Sequence, residues 1–223
     1  MQMSIAARLR YAAPQTPQTL YSLAGRLVPW LSAGAVLGAA AALYVAFLVV
    51  PTDARQGEVY RIAFVHVPAA WMSLAVYAAM AFAAALGLAL NTRLAFMMVH
   101  ALAPTGALFT FLALWTGAIW GKPAWGTWWV WDARLASELV LLLLYLGVMA
   151  LNAAIDDARR ADRACALLAL AGAVNLPVIY YSVPSIAGRM VAGVLIMGVA
   201  FLLYAVAVAL ARLRCVILEE DAV

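Results

Sequence analysis

Six apolar runs alternate with short polar connections along the chain: Leu27–Val50, Ile62–Leu90, Leu94–Ile119, Leu135–Ala154, Ala164–Val183 and Met190–Ala211. A helix needs about 20 apolar residues to cross the hydrocarbon core. The runs are continuous rather than alternating, which selects helices over barrel strands. The second run is long enough to tilt or to extend past the bilayer. The pattern predicts an all-α membrane protein of six transmembrane helices, one polytopic domain over residues 1–223, held in a lipid bilayer. Its connections are a polar loop at 51–58, a tight turn at Asn91–Arg93, a charged loop at Asp156–Arg163 and a brief turn at Pro184–Arg189. Pro68, Pro104 and Pro177 should kink the helices that hold them. No internal repeat and no matching pair of Gly/Pro-interrupted helices is present, which argues against an inverted-repeat transporter.

Composition agrees: 68% of residues are hydrophobic and 11% charged, with a mean hydropathy of +0.99, which excludes a soluble globule. The first apolar run is too long and too late for a cleaved signal peptide and is expected to stay in the protein. With both termini inside, nine arginines (Arg8, Arg10, Arg26, Arg93, Arg159, Arg160, Arg163, Arg212, Arg214) flank the inner side. Five cations (Arg55, Arg61, Lys122, Arg134, Arg189) flank the outer side, so the positive-inside rule predicts N-in and C-in. These flanking positions account for the net charge of +4, and no separate basic patch suggests nucleic acid. Cys165 and Cys215 fall at inner helix ends, isolated, and read as structural thiols.

The candidate chemistry is concentrated between the third and fourth runs. Five of the eight tryptophans lie in the twelve residues Trp120-Gly-Lys-Pro-Ala-Trp125-Gly-Thr-Trp128-Trp129-Val-Trp131, followed by Asp132-Ala-Arg134. An aromatic belt at the membrane interface accounts for one or two tryptophans at a helix end. Five suggest a platform for a flat, apolar, partly charged ligand, formed by an outer loop or an interfacial helix. If the segment is helical after Pro123, then Trp125, Trp128, Trp129 and Asp132 share one face. Asp132 also suits the N-cap of the fourth helix. Glu138, one turn beyond Arg134 inside the membrane, should pair with it, since an unpaired charge there is costly. His66 lies at the depth of the tryptophans, where imidazole is a candidate iron ligand. His100 lies roughly 15 Å deeper toward the inner side and reads as a packing or inner-surface residue.

The stretch Trp125-Gly-Thr-Trp-Trp-Val-Trp-Asp-Ala-Arg-Leu135 resembles the tryptophan-rich signature of haem-handling membrane proteins. With Tyr60-Arg-Ile-Ala-Phe-Val-His66-Val-Pro-Ala-Ala70, Gly121-Lys-Pro123, Ser137-Glu-Leu-Val-Leu141 and Asn175-Leu-Pro-Val-Ile179, the chain resembles the haem exporter protein C (CcmC) family from about Leu20 to Ile217. The resemblance implies a multi-pass bacterial inner-membrane protein that is not an enzyme. It implies that haem b, held non-covalently and transiently at the periplasmic face, passes to a membrane-tethered haem chaperone during cytochrome c maturation. His66 matches one of the family's two axial histidines and is the expected metal ligand. Trp125, Trp128, Trp129 and Trp131 are the expected bed, with Asp132 and Arg134 at its entrance. An ABC-type ATPase, a permease subunit and a small membrane subunit are the implied partners.

Covalent attachment is not expected, because the chain has no Cys-x-x-Cys-His. The family's second histidine, in a longer outer loop before the sixth helix, has no counterpart in Pro184–Arg189. The iron is therefore expected to be five-coordinate, to take a partner's ligand or a side chain such as Tyr180, Tyr181 or Met190, or to be poorly held. Lys122, Arg61, Arg134 and Arg189 are the cations able to meet propionates. Two other classes stand beside this reading: a permease-like transport subunit, whose ATPase must be a separate chain since no phosphate-binding loop is present, and a docking scaffold that has lost haem ligation.

Overall fold

In the hydrocarbon the backbone has no water to bond, so each apolar run closes its own hydrogen bonds as helix. The computed structural model describes residues 16–182 and 191–221. Its helices are α1 (Thr16–Tyr44), α2 (Ala63–Leu90), α3 (Arg93–Trp125), α4 (Ala133–Ala154), α5 (Ala158–Gly172), α6 (Asn175–Ser182) and α7 (Val191–Asp221). Six stretches are long and apolar enough to cross a membrane: Leu20–Val49, Glu58–Leu90, Arg93–Trp125, Ala133–Ala154, Ala158–Ser182 and Val191–Leu218. No strand occurs among the described residues.

Short connections make successive helices antiparallel neighbours. Asn91, which tolerates the left-handed conformation (φ 51°), turns α2 into α3. Asp157 caps α5, its Oδ1 accepting the Arg160 amide at 2.8 Å. That cap starts the fifth helix inside the expected charged loop and leaves only a short link from Ala154. The core is a four-helix arrangement in which α2 and α4 each pack on α3 and α5 and so face one another diagonally. The pair α1 and α7 packs on its α2–α3 side.

The fifth run is broken into α5 and α6. Pro177 has no N–H and its ring crowds the carbonyl four residues back, at Ala173. That carbonyl instead accepts the Leu176 amide at 3.1 Å, and the Asn175 Nδ2 donates to the Ser137 carbonyl at 2.8 Å, tying the break to α4. The expected kink at Pro177 is thus a full interruption. Pro68 and Pro104 stay inside continuous helices. The turn expected at Pro184–Arg189, with Met190, lies outside the described residues.

The core's largest buried side chains include Tyr77 and Tyr145, whose rings meet edge to face at 4.9 Å. Tyr145 fits because Gly106 of α3 has no side chain: a Cβ there would stand 1.9 Å from the ring. Gly106→Ala should therefore lower stability by about 1–3 kcal/mol through overpacking. Gly198→Ala, whose Cβ would meet nothing within 4 Å, should change little. Thermal unfolding of the two variants in detergent checks the contrast.

Candidate functional site

The site forms where α3 outlasts the bundle. The helix does not stop near Ile119 but runs through Pro123 to Trp125, and Gly126, at φ 79°, ends it. Only a residue tolerant of positive φ turns the chain there at low cost. Residues 127–132 are then non-helical until Asp132 starts α4. The expected stripe of Trp125, Trp128, Trp129 and Asp132 on one helical face does not form, because Gly126 breaks the period after its first member.

The loop is organised by cations and caps. Arg134 sits over the Trp125 ring at 5.1 Å and bonds Asp132 Oδ2 at 3.0 Å. Asp132 Oδ1 accepts the Leu135 amide at 2.8 Å, so the expected N-cap is present. Lys122 Nζ donates to the Gly126 carbonyl at 3.1 Å and lies 5.8 Å from the Trp128 ring centre. Trp129 and Trp131 meet edge to face at 5.4 Å. Trp125, Trp128 and Trp131 are 53%, 57% and 80% exposed. Trp129 Nε1 is buried without a hydrogen-bond partner among the described residues, a costly state for a donor.

The expected Arg134–Glu138 pair is absent. Arg134 turns back toward the helix start, to Asp132 and Trp125, while Glu138 points into the core and meets Ser73 Oγ at 2.8 Å. Arg61 is likewise committed inside the fold, with a side chain 9% exposed. A π-turn over Val45–Val49 sends the Val50 amide to Val45 rather than Ala46. Arg61 bonds the released Ala46 carbonyl, the Val50 carbonyl at 3.0 Å, and Glu58. This removes Arg61 as a cation free for a ligand. Arg189 lies outside the described residues.

His66 stands near the start of α2 and is held against α3. Its Nδ1 is 3.0 Å from the Ala113 carbonyl and 3.1 Å from Thr116 Oγ1. The carbonyl only accepts, and Thr116 gives its own hydrogen to Leu112 at 2.6 Å, so Nδ1 carries the ring hydrogen. A neutral ring in this tautomer leaves its lone pair on Nε2. Gly117 makes room for it, since a Cβ there would stand 3.0 Å from His66 Cε1.

The ring that touches His66 is Trp120, edge to face at 5.7 Å, and its Nε1 donates to Gln56 at 2.8 Å. Gln56 is presented by a turn in which Asp53 Oδ1 accepts the Gln56 and Arg55 amides at 2.8 and 2.9 Å. Those two amides hold the Asp53 carboxyl below the usual carboxylate range. Trp120, Thr116 and Gly117 were missing from the expected site. Their signal was helical spacing from Ala113, inside the predicted third run for Thr116 and Gly117 but legible for Trp120 only if the third helix is carried past Ile119. His100, as expected, lies elsewhere: Nε2 meets Asp162 Oδ1 at 2.8 Å. It precedes Ala113 by thirteen residues, about 20 Å along α3.

The assembly can therefore present one imidazole lone pair beside Trp120, and a loop of exposed indoles beyond α3 with a cation at each end. Removing the cap by Asp132→Ala should cost about 1 kcal/mol, and Asp132→Asn, which keeps an acceptor, only a few tenths. Denaturation midpoints in detergent decide it; equal losses would show that Asp132 acts by its charge on Arg134 rather than as a cap.

A family model described as "Heme exporter protein C" matches residues 9–185. A "Heme exporter protein C" of Escherichia coli K12 is 53% identical over 167 residues, covering 75% of this chain and 68% of the relative. That of Haemophilus influenzae is 41% identical over 225 residues, covering 92% and 91%. A cytochrome c biosynthesis ccmC-like mitochondrial protein of Marchantia polymorpha is 45% identical over 144 residues, covering 65% and 60%.

Proposed function

The chain belongs to the heme exporter protein C family, and from that premise we propose that it holds haem b non-covalently and passes it to a membrane-tethered haem chaperone during cytochrome c maturation. The observation that carries this reading is the setting of His66. A backbone carbonyl fixes Nδ1–H and leaves Nε2 free to bind a metal, the arrangement that orients histidine ligands generally. That imidazole stands beside Trp120, at the end of the bundle where the exposed loop tryptophans lie.

In this reading His66 ligates iron, while Trp125, Trp128, Trp129 and Trp131 bed the porphyrin faces and edges. Among the described residues, Lys122 and Arg134 are the candidate cations left to meet propionates, and the unpartnered Trp129 Nε1–H is a donor that a bound carboxylate would satisfy. The chain performs no catalysis of its own. It lies in the bacterial inner membrane with both termini inside, which puts the tryptophan loop on the periplasmic side, where the chaperone works. An ABC-type ATPase, its permease and a small membrane subunit complete the assembly. The chain's other histidine is at the far end of α3, so a second axial ligand comes from a non-histidine side chain or from the partner.

His66→Ala should reduce haem recovered with the detergent-extracted protein to background, and His100→Ala should leave it unchanged. The absorption spectra of both, at matched protein levels, give the answer; equal loss would remove His66 as the ligand. Trp128→Leu and Trp129→Leu should insert normally but each weaken haem retention by about 1 kcal/mol, roughly fivefold, and slow transfer to the chaperone. Normal cytochrome maturation with the double Leu variant would reduce these tryptophans to an interfacial belt.

A further inference from the structure

Glu138 is buried in the bundle, 7% exposed, and no cation contacts it among the described residues. Its neighbour Ser73 supplies the argument. Ser73 Oγ is 2.8 Å from the Ala70 carbonyl and 2.8 Å from Glu138 Oε1. A hydroxyl has one hydrogen, and a carbonyl cannot donate. Both contacts are full two-centre hydrogen bonds, rather than one hydrogen shared between two acceptors, when Ser73 gives its hydrogen to Ala70 and Glu138 carries a proton that it gives to Ser73. The other arrangement leaves a carboxylate in an apolar bundle with one donor and no counter-charge, which the interior strongly disfavours. The ionisable side chains packed nearby, Tyr77 of α2 and Tyr145 of α4, bring no positive charge.

The place of this contact gives it a role. The backbones of α2 and α4 pack chiefly on α3 and α5 rather than on each other. Across that diagonal run two hydrogen bonds, and both end on Ser73: Glu138 to its hydroxyl, and the Tyr145 hydroxyl to its carbonyl at 2.8 Å. Seven residues separate Ser73 from His66, about 10 Å along α2, and six separate Glu138 from Asp132, about 9 Å along α4. Both counts run toward the tryptophan end. A tie at Ser73 therefore brings His66 and the start of α4, which anchors the tryptophan loop, to the same height.

We propose that Glu138 is a neutral, hydrogen-donating positioning residue that sets the tryptophan loop at the level of His66. The inference rests on the haem-holding reading for its consequence but not for its geometry. The test uses the full chain in detergent, with Glu138→Gln and Glu138→Ala compared in two measurements. The first is haem content and Soret position from pH 6 to 9. Glu138→Gln, a neutral isostere with an N–H donor, should match the wild type at every pH, and Glu138→Ala should hold at least fivefold less haem with a displaced Soret band.

The second measurement needs no haem: spin labels on Val65→Cys and Ala133→Cys, with Cys165→Ala and Cys215→Ser, report the distance between the start of α2 and the start of α4. Glu138→Gln should keep the narrow wild-type distribution, and Glu138→Ala should broaden it. Loss in Glu138→Gln equal to that in Glu138→Ala would show that the acid itself is needed and would overturn the proposal. An unchanged distance in Glu138→Ala would overturn it as well. If the wild type holds no haem but the distances behave as expected, the haem reading fails and the positioning role stands.

Discussion

A polar group carried into hydrocarbon has to find its partner within the protein, and the architecture of this chain follows from where those partners are. Thr110 returns its hydroxyl to the Gly106 carbonyl, Thr116 to Leu112, and Cys165 its thiol to Val148. Arg212 reaches Thr105 from α7 at 2.7 Å. Where the first span departs from its regular ladder, at the π-turn, Arg61 supplies what the ladder lost, and beside the break in the fifth span Asn175 ties the chain to α4. The bonds from Cys165, Arg212, Arg61 and Asn175 link elements that packing alone would leave free to slide, because lipid is as apolar as the helices and gives little drive for one register over another.

The same constraint separates the two histidines. His100 closes the α3–α5 diagonal by its contact with Asp162, and that contact occupies its Nε2. His66 closes onto its neighbour α3 through Nδ1 and keeps Nε2 clear. Two residues of one type on one bundle are thus divided by their surroundings: His100 faces a carboxylate, and His66 faces a backbone carbonyl and an indole. Trp120 adds an aromatic wall to that histidine and ties it, through Gln56, to the loop before α2.

The helices were legible because a run of apolar residues long enough to span a membrane has almost no other fold open to it, and their number, order and approximate limits follow from that. What the pattern could not show were the ends. Pro123 reads as a stop, yet α3 passes through it to Gly126, since a proline in the last turn forfeits a single bond and the tryptophans beyond gain a rigid support. Arg134 and Glu138 have the spacing of an ion pair, but spacing does not see that a nearer carboxylate and an indole compete for the guanidinium. Trp120 was counted with the segment and not with the site for the related reason that its face is fixed only once the helix is known to continue. The cap at Asp132 was readable because it depends on four consecutive residues, Asp132 to Leu135, and nothing else.

The distribution of strong and weak contacts bears on how such a site would work as a carrier. One interaction, at His66, is fixed by helix backbone and cannot relax without moving α2 against α3. The remainder are indoles on a loop, largely open to the surroundings, each contributing on the order of 1 kcal/mol beyond burial. A ligand held by one firm bond and several small ones can be taken stepwise: a partner that covers Trp131 and Trp128 first replaces weak contacts one at a time, and the metal bond is the last to exchange. A deep pocket would bind more tightly but would require the protein to open before release. The exposed platform needs no such opening, which suits the proposed role of handing a ligand on.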